Sequence, residues 1–277
     1  PDRYIPKESL WPHLDGMVDH LLDYLRRIGT VPDLVHGHYA DAGYVAGRLS
    51  GLLDVPMAFT GHSLGRVKRQ RLLEGGLEEP ALERRYKITQ RIDAEEFALD
   101  SATFVVASTQ QEVDEQYGLY DQYDPRRMTV IPPGVDIGRF EPPVRGAVPP
   151  PIEREVNRFL AVPEKPMVLA LSRPDPRKNI PRLVEAFATH PSLPEVANLV
   201  LVAGNRDRIR DLDRGAKETW WRVLELIDTH DLYGSIAYPK HHEADEVPDI
   251  YRLAAKRHGV FVNAALTEPF GLTLIEA

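Results

Sequence analysis

The stretch MVLALSRPDPRKNIPRLVEAF, residues 167–187, reads as a strand, a short polar loop and a helix in immediate succession. Met167–Ser172 is hydrophobic nearly throughout, as a strand covered on both faces of a parallel sheet must be. The loop that follows holds Arg173, Arg177 and Lys178, and a helix begins near Asn179. In open α/β sheets ligands sit at the carboxyl ends of strands. A helix N-terminus adds unpaired N–H groups there, and with the cations it suits a phosphate or pyrophosphate. The same residues also fit ordinary surface charges on a βα loop, and the loop alone does not decide between the two.

The same unit recurs in both directions. Apolar runs rich in Val, Ile, Leu and Ala predict strands at DLVHGH (33–38), PMAFTGH (56–62), TFVVAS (103–108) and MTVIPPG (128–134). NLVLVAG (198–204), SIAYP (235–239) and GVFVNAA (259–265) continue the series after MVLALS. Between them lie amphipathic stretches. WPHLDGMVDHLLDYLRRIG places Leu14, Met17, Val18, Leu21, Leu22, Leu25 and Ile28 on one broad helical face, with Gly29 as a stop. ERRYKITQRIDAEEFALD, IPRLVEAFATH, WWRVLELIDTH and VPDIYRLAAKRHG read the same way. Strand–helix alternation predicts a doubly wound α/β architecture.

One stretch breaks the pattern. EPPVRGAVPPP (141–151) has five prolines and no apolar period, so it reads as a stiff connection. A boundary is expected near residue 150, giving domains at 1–150 and 151–277. Each half has about four strands where a complete Rossmann-like domain has roughly six. PFGLTLIEA at the end reads as the opening turns of a helix. Both halves are therefore expected to be incomplete and the chain to be a fragment.

Bulk properties exclude several classes. The 277 residues are 43% hydrophobic and 27% charged, with a net charge of −8, which is normal for a soluble protein and a poor fit to nucleic-acid binding. No apolar run suggests a transmembrane span or a signal peptide. There are no cysteines, so disulfides, thiolate zinc sites and a Cys nucleophile are excluded, and a cytoplasmic location is expected. RVKRQR (66–71) gathers four cations, either as a solvated face or as a site for a small anion.

The remaining candidates lie at strand ends. In LTEPFGLTLIEA, Glu268 stands in a loop and Glu276 in the helix that follows, with backbone N–H groups of Phe270, Gly271 and Leu272 between them. A ligand with two hydroxylated groups flanking a pyrophosphate, a sugar nucleotide, would span them. The alternative is an acid favouring the helix dipole plus an exposed helix residue. His62 sits in a Gly-bracketed turn and reads as either structural or catalytic. The pairs His36 and His38, and His241 and His242, lack a second cluster at ligand spacing, so no metal site is expected. The Asp-x-Asp string at 211–213 lies in a charged run and reads as chance. No serine elbow or Walker lysine motif is present.

Taken together, TGHSLGR, PPGVD, LSRPDPRKN, AYPKHH, DIYRLAA and EPFGLTLIEA resemble, in this order, the sucrose-phosphate synthases, retaining glycosyltransferases of family 4. The resemblance covers essentially the whole chain. It implies the type B glycosyltransferase fold, with two Rossmann-like domains facing across a cleft. The first would bind the acceptor and the second the nucleotide donor. By the same resemblance Arg173 and Lys178 would hold the donor diphosphate, Glu276 the ribose and Glu268 the transferred hexose. Phe270, Gly271, Leu272 and Thr273 would offer backbone contacts. His62 would face the donor sugar, and Ser63, Lys68 and Arg91 would bind the phosphate of fructose 6-phosphate.

The implied reaction moves glucose from UDP-glucose to fructose 6-phosphate, with His62, Arg173, Lys178 and Glu268 as the catalytic set. No cofactor is obligatory, Mg²⁺ is at most a stimulant, and a sucrose-phosphate phosphatase is a partner to test for. Mannosylfructose-phosphate synthase with GDP-mannose, sucrose synthase with plain fructose, and a non-catalytic sugar-phosphate-binding subunit are the competing readings. The family's N-terminal strand with its glycine-rich loop, and its C-terminal strands and crossing helix, have no counterpart in these residues.

Overall fold

The structure is a computed structural model that describes residues 5–144, 146, 148–266, 268 and 270–277. It divides into two compact units, Pro1–Pro133 and Gly134–Ala277.

The first unit holds β1 (Val35–His38), β2 (Met57–Thr60), β3 (Phe104–Ala107) and β4 (Met128–Val130). They form one parallel sheet in the order β1-β2-β3-β4. The central strand β2 is buried throughout, whereas the edges β1 and β4 are partly exposed. Phe59, Met57 and Val105 pack with Ala98, Leu99 and Tyr117 to form the core. The helix Leu14–Ile28 ends on Gly29 at φ 65°, a left-handed cap that glycine adopts without a Cβ clash. Its buried face is narrower than the sequence pattern implied: Leu14 and Val18 are buried, while Met17 and Ile28 are about half exposed at 51% and 49%.

The stretch ERRYKITQRIDAEEFALD is not one helix. It splits into Glu79–Tyr86 and Ile88–Ser101 at Lys87, whose φ of 43° is left-handed. Glu83 accepts both the N–H and the hydroxyl of Thr89, so the new helix start is satisfied by the end of the old one.

The second unit holds β5 (Met167–Ser172), β6 (Asn198–Ala203), β7 (Ile236–Ala237) and β8 (Val260–Phe261). Their order is β7-β6-β5-β8, all parallel. β6 is buried at every position, and Trp220, Phe187, Val184 and Leu201 fill one face of the sheet. Ile250, Leu253, Leu169 and Ile152 fill another cluster.

The proline-rich stretch does not mark the division. The units part at Pro133 and Gly134 instead of near residue 150. Prolines lack N–H groups, but the carbonyls around them still accept. Arg252 donates to the carbonyls of Glu141 and Arg139 at 3.0 and 2.7 Å, and Phe140 packs edge-on against Tyr251. These contacts tie residues just before the prolines to the second unit.

Candidate functional site

In the second unit, β6 and β7 follow β5 in one direction, and β8 adds to the other side of β5. Crossovers leaving such a reversal diverge, and in open α/β sheets ligands bind beyond the carboxyl ends of the two strands that flank it. The loops after β5 and β8 are joined there, with Leu266 N–H donating to the carbonyl of Arg177 at 2.9 Å. Lys178 Nζ then lies 2.6 Å from Glu268 Oε2, and each side chain is 23% exposed. Asn263 Nδ2 donates to the same oxygen at 3.0 Å, while its own Oδ1 accepts Ala265 N–H at 3.1 Å, which fixes the amide. Burial alone would push the Glu268 carboxyl up. Lys178 and Asn263 outweigh it, and the group lies below the ordinary carboxylate value.

Arg173 stands in the same loop but is exposed, and it makes no ion pair among the described residues. Lys178, in the same loop, is brought to Glu268. The loop itself is stiff. Asp175 caps it by accepting Arg177 N–H at 2.9 Å and holds the guanidinium with two further bonds at 2.9 and 2.6 Å. Those bonds hold the Asp175 carboxyl down at about 2.

The helix Leu272–Glu276 begins on Gly271, whose φ of 84° suits glycine. Phe270 and Thr273 are partly buried. Leu272 lies at the rim of a hollow of about 250 Å³, with Val135, Phe140 and Val247 among its walls and Glu276 at its side. Among the described residues Glu268 and Glu276 share no partner. Glu276 Oε2 lies 3.2 Å from the hydroxyl of Tyr251, a residue on the helix Val247–Lys256.

Two consecutive residues after β6 hold the AYPKHH loop. Asn205 donates to His242 O at 2.9 Å and accepts His242 N–H at 3.0 Å. Arg206 donates to the carbonyls of Pro239 and Tyr238 at 3.1 and 3.0 Å and lies 3.5 Å from the centre of the Trp220 ring. Burial brings its guanidinium down to about 10. His241 faces Asp207 at 3.3 Å. The Asp-x-Asp string has structural roles: Asp211 pairs with Arg208 at 2.7 Å, and Asp213 caps the helix Arg214–Thr229 by accepting Ala216 N–H. Among the described residues no three His, Asp or Glu side chains are placed to hold a metal.

The first unit gathers a different chemistry at the carboxyl ends of β1 and β2. Parallel register sets His38 beside Thr60. His36 Nε2 bonds Thr60 Oγ1 at 2.9 Å, and His38 Nδ1 bonds His62 Nε2 at 2.8 Å. The rings of His36 and His38 lie 4.0 Å apart, and those of His38 and His62 are stacked at 5.1 Å. His62 takes φ 56°, and Ser63 N–H closes a tight turn onto Gly61 O at 2.6 Å. A Cβ on Gly61 would lie 2.6 Å from Leu64 and 2.8 Å from the Tyr117 hydroxyl, so the turn requires glycine. Partial burial and the neighbouring His38 lower the His62 pKa.

Below this turn lies Arg91, buried at 5% exposure. It donates to Glu95 at 2.9 Å, to the Ser63 carbonyl, and to Ser63 Oγ at 3.4 Å. Glu95 is fully buried and also accepts Gly65 N–H at 2.8 Å and the Tyr120 hydroxyl. Lys68 lies 3.9 Å from the centre of the Tyr86 ring, and Tyr39 is faced by Arg91 at 4.5 Å and Lys7 at 4.0 Å. Burial, then Arg91, lowers the Lys68 pKa, with Lys7 and Arg85 adding to the effect. Of the other cations in RVKRQR, Arg66 is taken up by Glu96 and Asp121 at 2.6 and 2.9 Å, and Arg69 by Glu79. Only part of that charge run therefore belongs with Ser63 and Arg91.

Sequence reading passed over Asn205, Arg206, Tyr251, Asn263, Lys7 and Tyr39. Asn263 and Asn205 are polar residues at the ends of apolar strands, a position that could have flagged them. Tyr251 looks like any core aromatic on a helix, and Lys7 like any surface cation.

The Glycosyltransferase Family 4 model matches residues 1–139. Sucrose-phosphate synthase 4 of Arabidopsis thaliana is 48% identical over 328 aligned positions, which take in 100% of this chain and 31% of that protein. Sucrose-phosphate synthase of Zea mays is likewise 48% identical, again covering 100% of this chain and 31% of that protein. The chain thus spans about a third of these relatives' length. Among solved structures, sucrose-phosphate synthase from Thermosynechococcus elongatus superposes with a TM-score of 0.73 at 26% identity, over 100% of this chain and 60% of that one. Anabaena HepE in complex with UDP gives 0.66 at 17% identity, over 95% of this chain and 60% of that one, a likeness of fold. The two parallel α/β sheets are those of the type B glycosyltransferases.

Proposed function

Since the chain belongs to glycosyltransferase family 4, we propose that it is part of a retaining hexosyltransferase moving glucose from UDP-glucose to fructose 6-phosphate. The products are sucrose 6-phosphate and UDP. The meeting of Lys178 with Glu268 at the reversal of the second sheet carries this reading. A cation beside a carboxylate suits a donor that is anionic in its diphosphate and hydroxylated in its sugar. Lys178 and Arg173 hold the diphosphate, Glu268 accepts the hexose hydroxyls, and Glu276 accepts those of the ribose. Phe270, Gly271, Leu272 and Thr273 supply backbone contacts. UDP in the HepE complex supports a uridine nucleotide as the donor.

As the glycosidic C–O bond breaks, the leaving diphosphate gains negative charge. Lys178 and Arg173 stabilise that charge electrostatically, without reorganisation at the moment of reaction. Retention requires the acceptor hydroxyl to attack from the face the diphosphate leaves, and its proton passes to the departing phosphate oxygen. Glu268, already bonded by Lys178 and Asn263, is oriented for binding hydroxyls rather than for attack.

In the first unit Lys68, Arg91 and Ser63 take the acceptor phosphate, and Lys7 and Tyr39 lie beside Arg91 and extend the group. Like charges that lower the Lys68 pKa are relieved by a bound dianion. His62 contacts the donor sugar.

The test is to assay the full-length protein with UDP-, ADP- and GDP-sugars against fructose 6-phosphate and fructose. Turnover of UDP-glucose with fructose 6-phosphate is expected. Preference for GDP-mannose would replace this reading with mannosylfructose-phosphate synthesis, equal use of plain fructose with sucrose synthesis, and no turnover with a binding subunit.

A further inference from the structure

Glu276 stands on a helix of five residues, Leu272–Glu276, too short to be stable by its own hydrogen bonds. Among the described residues, Tyr251 is the one side chain bonded to its carboxylate. Tyr251 is 7% exposed, and its ring is wedged edge-on between Phe140 at 5.9 Å and Phe261 of β8 at 5.4 Å. The phenol oxygen is therefore fixed by the core. It has one proton and faces two acceptors, Glu276 Oε2 and the Thr273 carbonyl, both at 3.2 Å. The Thr273 carbonyl already accepts Ala277 N–H at 3.2 Å. The carboxylate is charged and is the stronger acceptor of the two. With Oε2 held in this way, the second carboxylate oxygen is left for a ligand, beside the hollow of about 250 Å³ that Glu276 lines.

We propose that Tyr251 is a positioning residue that fixes Glu276 for the ribose hydroxyls of the donor nucleotide and so sets a preference for ribonucleotides over nucleotides lacking those hydroxyls. The inference rests on the reading of Glu276 given above and adds the group that orients it. Tyr251 touches no substrate in this scheme and acts only through the carboxylate. Burial and the adjoining Glu276 raise the Tyr251 pKa, which keeps the phenol a donor throughout the working range.

The experiment is calorimetric titration of the full-length protein with UDP and with 2′,3′-dideoxy-UDP. It uses the unaltered protein, Tyr251→Phe and Glu276→Ala. Phenylalanine keeps the ring and its packing. Affinity for UDP is expected to fall about 5- to 10-fold in Tyr251→Phe, with affinity for the dideoxy analogue unchanged, so that the ratio between the two nucleotides shrinks. Glu276→Ala should shrink it at least as much, and adding Tyr251→Phe to Glu276→Ala should do nothing further. If the ratio collapses in Glu276→Ala but stands in Tyr251→Phe, the inference about Tyr251 is overturned alone. If both affinities fall together in Tyr251→Phe, the residue is merely structural and the inference is again overturned. If the unaltered protein binds both nucleotides equally, or Glu276→Ala leaves the ratio unmoved, the reading of Glu276 fails and the inference with it.

Discussion

Lys178 and Glu268 are ninety residues apart in sequence, and their charged atoms meet at 2.6 Å. Each is also the other's main source of compensation in a partly buried place. We expect Lys178→Ala in the full-length protein to weaken donor binding and to lower kcat/KM about 100-fold or more, as loss of a group that stabilises developing charge does. Glu268→Gln keeps the shape and removes the charge. It should reduce kcat with a smaller change in the Kd for UDP, because UDP lacks the hexose. Steady-state kinetics with UDP-glucose, set beside UDP titrations, separate the two; an unchanged kcat in Glu268→Gln would remove this residue from the hexose site.

Lys68 offers a test on the acceptor side. Lys68→Ala should raise the KM for fructose 6-phosphate about 10- to 100-fold, the worth of one charge-assisted contact, and leave donor affinity nearly unchanged. Turnover of unphosphorylated fructose should be indifferent to the substitution. Equal efficiency with both acceptors in the unaltered enzyme would end the case for a phosphate site.

The histidine row predicts an acid-side weakness. Burial first, and the neighbouring imidazoles next, hold His36 and His62 below the ordinary value of 6.5. An unfolded chain therefore takes up these protons before the native state does. The stability they allow is present above that value and declines as pH falls through it. Melting temperature should drop between about pH 7.5 and about 5.5, and His62→Asn should flatten part of that slope. The charge of Glu112 acts on His62 in the opposite sense, which makes Glu112→Gln the control that steepens the slope.

The buried pair in the first unit should be costly to break. Glu95 is fully buried and serves Arg91, Gly65 N–H and the Tyr120 hydroxyl at once. Arg91→Ala leaves that carboxylate without its cation and should destabilise by about 3–5 kcal/mol. Denaturant midpoints of Arg91→Ala and of Arg91→Ala/Glu95→Gln check this; the second should recover part of the loss.

Arg206 makes a milder claim. Arg206→Lys cannot reach both Tyr238 and Pro239 carbonyls in one fork, and it loses the flat stack on Trp220. A loss of about 1–3 kcal/mol is expected, read as a fall in thermal stability without a change of acceptor KM.

Much of this was legible in the chain. All eight strands announced themselves because parallel strands under helices are apolar on both faces, and Met167–Ser172 and Asn198–Ala203 are such runs. Lys178 and Glu268 were each legible as strand-end residues. Their pairing was not, because it depends on β8 docking against β5 rather than beside β7. The proline run misled for a related reason: what holds Arg139 and Glu141 to the second unit is Arg252, more than a hundred residues on. The break at Lys87 was hidden because a left-handed lysine leaves no mark in a helical pattern. Tyr251 was hidden because one hydroxyl on an aromatic ring gives no periodic signal.

The reversal of strand order also has a consequence for the order of assembly. β5, β6 and β7 can add one after another, each to the strand just made, with modest separation along the chain. β8 must return past all of them to the free edge of β5, where Val168 and Leu169 are its partners. Such non-local pairing comes late, since loop closure must precede its reward. Glu268 and Asn263 arrive with that strand. A unit lacking only β8 would already possess most of its core and yet have no counter-charge for Lys178, so the ion pair at the reversal of the sheet waits on the longest-range strand pairing in the unit.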